Sequence, residues 1–300
     1  MRFQHQTSEY SFANQQPVKV IRSIPKLRRW IRKAQETGRP IGFVPTMGTL
    51  HAGHLSLIQQ ARRIVKRKGL VVVSVFVNPT QFNQKWDFKK YSRQLATDVS
   101  LCRNANVDLV FAPLAKAMYP PHFSTWVEEM ALSLPLCGAR RPGHFRGVCT
   151  IVFKLFNLVQ PAVAIFGQKD AQQALVIQRM VRDLNIPVQI VVAPTVREKD
   201  GLAMSSRNQR LSVSKRAQAV ALYENLQLMR QAFRNGIRNT SMLKNLARDR
   251  LQKVPKLCLD YLEIVHLSNL QPASPQCSRG DLIAIATFLG KTRLIDNMRL

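Results

Sequence analysis

The sequence predicts an α/β protein: a parallel sheet covered by helices on both faces, followed by a smaller α+β region. Two observations carry this. From residue 18 to about 195, short apolar runs alternate with helical patterns, and repeated strand–helix–strand order builds parallel sheets. After Pro194 the style changes to a polar stretch, helices and then two strands.

Residues 1–17 are polar and read as a loose extension outside the fold. The runs at 41–44 and 71–77 are β-branched and apolar, as strands buried on both faces require. Those at 107–112, 162–166 and 188–193 are similar. Between the first two, a helix is expected over about 53–68. Leu55, Ile58, Arg62 and Val65 fall on one stripe, and Gly69 is placed to end it. A second helix is expected over about 171–184. Residues 18–194 thus form the sheet domain. Residues 195–300 form a second domain, with a polar stretch at 197–210, helices over 214–235 and 240–252, and strands over 259–267 and 281–289.

Composition narrows the class. With 46% hydrophobic and 21% charged residues, the 300-residue chain is globular rather than disordered. No apolar run is long enough to span a bilayer, and the start of the chain lacks the apolar core of a secretory signal. No membrane partner is expected. The five cysteines (Cys102, Cys137, Cys149, Cys258, Cys277) are odd in number and without CxxC spacing. That argues against a disulfide framework or a thiolate zinc site, and the expected setting is the reducing cytoplasm. The net charge is +28, from 45 basic and 17 acidic residues. Such a balance raises the question of nucleic acid. The basic residues are spread over most predicted helices, however, and only 7% of the chain is aromatic. Stacking platforms are therefore sparse, and nucleic acid is not expected as the primary partner.

The residues that look chemical follow strands: Pro45-Thr46-Met47-Gly48 after the first, Asn78-Pro79-Thr80-Gln81-Phe82 after the second, and Gly167-Gln168-Lys169-Asp170 after a later one. In an open parallel sheet, ligands bind beyond the carboxyl ends of the strands. His51 and His54 stand three apart at a helix start, which puts both rings on one face near the free N–H groups and the positive dipole end. That is an arrangement for phosphates, with Gly53 allowing close approach to the backbone. A histidine–metal reading lacks acidic or thiolate ligands nearby. Lys169 can meet phosphate oxygens as a point charge, and Asp170 can cap the following helix. In Met204-Ser205-Ser206-Arg207, two hydroxyls beside a guanidinium suit a polyphosphate. The neutral amides of Asn78, Gln81 and Gln173 suit a small hydroxylated acid.

Several blocks together resemble the pantoate–β-alanine ligase (pantothenate synthetase) family. They are Pro45-Thr46-Met47-Gly48-Thr49-Leu50-His51-Ala52-Gly53-His54, Val77-Asn78-Pro79-Thr80-Gln81-Phe82, Arg141-Pro142-Gly143-His144-Phe145-Arg146-Gly147-Val148, Phe166-Gly167-Gln168-Lys169-Asp170 and Asp200-Gly201-Leu202-Ala203-Met204-Ser205-Ser206-Arg207-Asn208. The ending Arg293-Leu294-Ile295-Asp296-Asn297 is also similar. The likeness runs from about residue 18 to the C-terminus and is narrower than the general HxGH nucleotidyltransferase class.

The resemblance implies a Rossmann-like N-terminal domain, a C-terminal lid domain and a homodimer. It implies ATP with Mg²⁺, a pantoyl-adenylate intermediate and release of AMP and pyrophosphate as pantoate is joined to β-alanine. His51, His54, Lys169, Ser205, Ser206 and Arg207 would handle the phosphates. Met47, Gly53, Gly167, Asp170 and Met204 would lie against the nucleotide. Pro45, Met47, Asn78, Gln81 and Gln173 would hold pantoate, with Tyr91 and Arg141 at the mouth of the site. Asp98 is the metal candidate. The chain departs from the family pattern at Cys137 and Gln168, where Glu is common, at Ser92, where Pro is usual, and at Thr97, where a second acid often neighbours Asp98. Two other readings remain: an HxGH transferase acting on a different small substrate, and a basic nucleic-acid-binding protein on an old enzyme fold.

Overall fold

The computed structural model of the chain describes residues 18–83 and 85–300, so the expected loose extension at 1–17 lies outside the described residues. Six strands form one sheet: β1 (Lys19–Ile21), β2 (Ile41–Thr46), β3 (Leu70–Val75), β4 (Leu109–Phe111), β5 (Val163–Gly167) and β6 (Gln189–Ala193). Their spatial order is β1-β4-β3-β2-β5-β6, and every neighbouring pair is parallel. A second, antiparallel sheet has the order β7-β8-β9, from β7 (Leu257–Val265), β8 (Leu282–Leu289) and β9 (Thr292–Arg299). The helices are α1 (Ile24–Glu36), α2 (Ala52–Val65), α3 (Lys85–Lys89), α4 (Leu95–Asn104), α5 (Ala115–Met118), α6 (Cys137–Arg140), α7 (His144–Val159), α8 (Ala171–Asp183), α9 (Val213–Ala219), α10 (Ala221–Arg234) and α11 (Thr240–Leu251). The fold is therefore the expected α/β, Rossmann-like sheet with a small α+β region after it.

The central strands are apolar throughout because helices cover both faces. On one face Phe43, Val72 and Leu109 pack under α1, α7 and α8, through Leu27, Val152 and Ile177 among others. On the other, Val44, Val71 and Val73 pack under α2 and α4, through Ile58, Ala61 and Cys102. The large side chains Phe43 and Phe111 are fully buried; removing either to Ala would cost about 3–5 kcal/mol. The C-terminal sheet packs its own core against α10 and α11. Val265, Leu270, Leu282 and Ala284 instead join the core of the parallel sheet, so the two regions share an apolar seam.

Three expectations are corrected. The first helix stops at Val65, and Lys66, not Gly69, takes the positive φ of 56°. Gly69 is required for a different reason: a Cβ there would lie 2.4 Å from the Val65 Cβ. The helix expected over 214–235 divides into α9 and α10 around Val220, whose own backbone stays helical (φ −61°, ψ −27°). β9 forms a third strand where the sequence shows only the ending of a resemblance. Its polar members Asp296 and Asn297 are buried, which masks the alternation expected of a strand.

From β2 the sheet grows one way through β3 and β4 and the other way through β5 and β6. The reversal opens a crevice at the carboxyl ends of β2 and β5, where ligands of such sheets bind.

Candidate active site

The loop between β2 and α2 is held in an unusual path. Gly48 and Thr49 both have positive φ, 80° and 55°, a region that side chains other than glycine occupy at a cost. The Asp98 carboxylate supports that path by accepting the N–H of Thr49 (3.0 Å) and of Leu50 (2.8 Å). Asp98 is only 1% exposed, and its two oxygens are thus committed to backbone. It anchors the loop. Gly48 must lack a side chain here, since a Cβ would sit 2.8 Å from the Asp98 Oδ2.

That loop delivers His51 to the N-cap of α2. His51 Nδ1 accepts the N–H of Gly53 (3.2 Å), while His54 Nδ1 accepts the N–H of His51 (3.3 Å). The two rings are the reciprocal caps of the helix, with centroids 4.1 Å apart. Because both Nδ1 atoms accept, the neutral rings carry their protons on Nε2, which leaves two N–H donors for an anion. Burial pulls the His51 pKa down to about 4, helped by neighbouring Lys169. Burial, then His51, pulls His54 down to about 3. Both rings are therefore neutral at pH 7. Gly53 makes room for the His51 ring rather than only for a ligand: a Cβ would lie 2.9 Å from its Cε1.

The β3 loop supplies the amides. Asn78, 1% exposed, donates from Nδ2 to the Gln81 Oε1 (3.1 Å) and the Gly147 carbonyl (3.0 Å). Its oxygen accepts the hydroxyls of Thr80 (3.0 Å) and Tyr119 (2.9 Å). Asn78 thus positions Gln81 from the wall of the cleft. Gln81 Nε2 reaches the Met47 Sδ at 2.9 Å, a weak acceptor that a ligand oxygen can replace.

The third wall is the 3-10 turn Gln168–Asp170, which leads into α8 and carries Lys169. Asp170 sits at the N-cap of α8 without a side-chain cap hydrogen bond; its carboxylate lies 3.7 Å from Lys169 Nζ. Opposite, Met204 N donates to the Val196 carbonyl (3.0 Å), so the chain folds back before the 3-10 turn Ser206–Arg210. Ser205 Oγ accepts the N–H of Arg207 at 3.2 Å. Asp87 pairs with Arg210 at 2.8 Å and with Arg207 at 3.6 Å.

These walls enclose a cleft of about 230 Å³. Pro45, Met47, His51, Gly53, His54, Asn78, Gln81, Gly167, Lys169, Asp170, Gln173, Met204, Ser205, Ser206 and Arg207 all line it, as do Tyr91 and Arg141. Asp98 does not. Arg141, Lys169, Asp170, Ser205 and Arg207 also border an adjoining cleft of about 250 Å³, bounded beyond them by Arg140, Arg210, Lys291 and Arg293. The chemistry is one-sided: cations and N–H donors at one end, amides over an apolar floor of Val148, Ile151 and Leu155 at the other.

Sequence reasoning missed His144, Tyr119, Thr195 and Val196. His144 is buried on α7, with Nδ1 2.8 Å from the Gln81 carbonyl and Nε2 3.1 Å from Arg141 Nη1. Arginine can only donate, so Nε2 accepts and Nδ1–H donates. Burial, reinforced by Arg141, lowers its pKa to about 3. The block 141–148 is visible as a resemblance, but nothing in it reveals that His144 faces Gln81. Thr195 and Val196 line the cleft without a chemical signature in sequence.

Among the described residues no group of three or more His, Cys, Asp or Glu could hold a metal ion. Of those same residues, Asp170 is the one carboxylate on the first cleft, and Asp87 is engaged by arginines. Magnesium at nucleotide sites is usually held by one or two carboxylates together with substrate phosphates and water, and Asp170 is the carboxylate that borders this cleft.

The sequence profile described as Pantoate-beta-alanine ligase matches residues 19–299. The chain is 49% identical to the pantothenate synthetase of Thermotoga neapolitana over 93% of its length and 99% of that protein's. It is 48% identical to pantothenate synthetase 1 of Bradyrhizobium diazoefficiens, over 94% of this chain and 98% of that protein. Among solved structures, pantothenate synthetase from Thermus thermophilus superposes with a TM-score of 0.87 at 44% identity, covering 94% of this chain and 99% of that one. Pantoate-beta-alanine ligase from Francisella tularensis, complexed with beta-gamma ATP and beta-alanine, gives 0.77 at 34%, covering 94% and 97%. With this profile and these relatives matching nearly its whole length, and a parallel sheet that superposes on theirs, the chain is an enzyme of the pantoate-beta-alanine ligase family.

Proposed function

We propose that the enzyme joins pantoate to β-alanine at the expense of ATP, through a pantoyl-adenylate, releasing AMP and pyrophosphate. The observation that carries this reading is the polarity of the cleft: His51, His54, Lys169, Ser205, Ser206 and Arg207 at one end, Gln81 and Gln173 at the other. Among the described residues the Gln173 side-chain amide has no hydrogen-bond partner, and the Gln81 side chain is held only by Asn78 and the soft Met47 sulfur. Both amides are thus open to a hydroxy acid.

In the first step a pantoate carboxylate oxygen attacks the α-phosphorus. The bond to the β-phosphate's bridging oxygen breaks, and pyrophosphate leaves with the electron pair. Phosphoryl chemistry of this kind needs alignment and charge stabilisation more than a covalent nucleophile. The Nε2–H groups of His51 and His54 donate to the phosphate oxygens, and Lys169 and Arg207 neutralise the charge moving to pyrophosphate. In the second step the β-alanine amine attacks the acyl carbon, AMP leaves, and the amine's proton passes to solvent. Magnesium would arrive on the nucleotide's phosphates and would help neutralise their charge. We assign residues 18–194 to the ATP- and pantoate-binding domain and 195–300 to a lid, in a cytoplasmic homodimer.

The test is incubation with ATP, Mg²⁺, pantoate and β-alanine, omitting each in turn. AMP release that needs both acid and amine supports the reading. Turnover indifferent to pantoate, joined to polyanion binding that weakens steeply with salt, would favour the nucleic-acid reading instead.

A further inference from the structure

The cleft's two phosphate-facing walls come from distant parts of the chain, and both are tied to one short stretch of β9. Asn297 is 5% exposed, and its Nδ2 donates to the carbonyls of Gln168 and Lys169, both at 2.9 Å. Its preceding neighbour Asp296 is also buried and binds Arg197 with both oxygens: Oδ2 accepts Nη1 at 2.6 Å and Oδ1 accepts Nη2 at 3.0 Å. The same Oδ1 accepts the Asn297 N–H at 2.8 Å, which stiffens the pair.

Arg197 in turn donates to the Gly201 carbonyl (3.0 Å) and lies over the Tyr223 ring, 4.3 Å from its centroid. Through the bridge between Arg197 and Ala203, it fixes the turn from which Met204 and Ser205 emerge. Gly201 admits no side chain, because a Cβ would lie 2.0 Å from the Tyr223 Cδ1.

Neither residue lines the first cleft, and Asp296 borders the adjoining one. We infer that Asp296 and Asn297 are positioning residues: consecutive members of β9 that set the spacing between Lys169 on one wall and Ser205–Arg207 on the other. The reach of a triphosphate across the cleft is then governed by an edge strand of the second sheet. The orientation of the Asn297 amide follows from its two carbonyl partners, since the flipped amide would place oxygen against oxygen. Its Oδ1 is buried without a partner, a cost that marks the side chain as selected for its donors rather than for packing. This inference rests on the functional reading above, and its test separates the two.

The experiment compares wild type with Asn297→Ala and with the isosteric Asn297→Asp, which keeps the volume and removes both donors. Binding of a non-hydrolysable ATP analogue is titrated without pantoate, and steady-state constants are measured with all substrates. Loss of two hydrogen bonds from the Lys169 wall is expected to weaken analogue binding and raise KM for ATP about tenfold. KM for pantoate should change less than about twofold, because Gln81 and Gln173 are untouched. Amide hydrogen exchange should quicken across 167–170 while β8 remains protected. Arg197→Gln, which frees the opposite wall, should give the same split between ATP and pantoate. Unchanged analogue affinity with wild-type exchange at 167–170 would overturn the inference. So would equal losses for both substrates, the signature of a general structural role. If the Asn297 variants fold poorly, Arg197→Gln alone decides by the same two readouts. A wild type that binds the analogue but shows no pantoate-dependent turnover would instead sink the functional reading, leaving the analogue titration to judge the spacing role.

Discussion

His51 performs two tasks with two nitrogens. Nδ1 caps α2 by accepting the Gly53 N–H, and this dictates that the proton sits on Nε2, facing the cleft. The His51→Ala variant should therefore show two separable effects. Loss of the cap costs about 1 kcal/mol of stability, which a thermal melt would detect as a small shift. Loss of a donor to the transferring phosphate should slow ATP–pyrophosphate exchange by about 10²–10³-fold. Normal exchange in a folded variant would refute the role. Gly53 answers to the same ring. Alanine is a better helix former by about 1 kcal/mol, yet its Cβ would push on the His51 imidazole. Gly53→Ala should leave the melting temperature near wild type while exchange falls, and a variant of full activity would show that the ring has room to spare.

At the level of elements, the site depends on contacts that cross from one to another. Asp98 on α4 secures the loop between β2 and α2 by two backbone hydrogen bonds. Asp98→Ala should destabilise the protein by on the order of 3 kcal/mol, since two buried N–H groups lose a charged acceptor. The dependence of activity on Mg²⁺ concentration should keep its midpoint. A shifted midpoint would assign Asp98 to the metal instead. α7 acts similarly from the other side, where Gly147 accepts from Asn78 and His144 holds Gln81. A Cβ at Gly147 would lie 2.6 Å from the Thr80 carbonyl oxygen, so the amide wall is packed directly on that helix.

For the molecule as a whole, protonation links the site to stability. His54 and His144 are both buried with pKa values lowered to about 3, while the unfolded chain binds their protons near 6.5. Between those limits the unfolded state takes up more protons, so their contribution is present above pH 6.5 and is lost as pH falls toward 3. Urea midpoints should decline as pH is lowered from about 7 to about 4, and a flat profile would contradict the burial of neutral rings. The net charge of +28 acts over longer range. It repels itself and draws in polyanions, and salt screens both effects. Raising ionic strength should raise the melting temperature and also raise KM for ATP. A KM insensitive to salt would mean that the charge plays no part in capture.

Read without its structure, the chain reveals what is local. The buried strands are legible because parallel strands covered on both faces must be continuously apolar, as in 41–44 and 71–77. The phosphate end of the cleft is legible too, because HxGH, a Lys after a strand and Ser-Ser-Arg each announce their chemistry in a few consecutive residues. α7 is harder to read as a helix: 12 of its 16 residues are buried, and its polar stripe is narrow, carried by Arg146, Lys154 and Asn157. How the polar groups are spent is settled by packing alone. Asn78 and Asp98 look like free polar groups in a string of letters, yet one bonds Gln81, Gly147, Thr80 and Tyr119 and the other two backbone N–H groups. His144 and Asn297 look incidental, yet they hold Gln81 and Lys169. The physical reason is that a hydrogen bond between residues 128 positions apart, such as Asn297 to Lys169, leaves no periodicity in sequence. Its existence depends on how the two sheets are packed together.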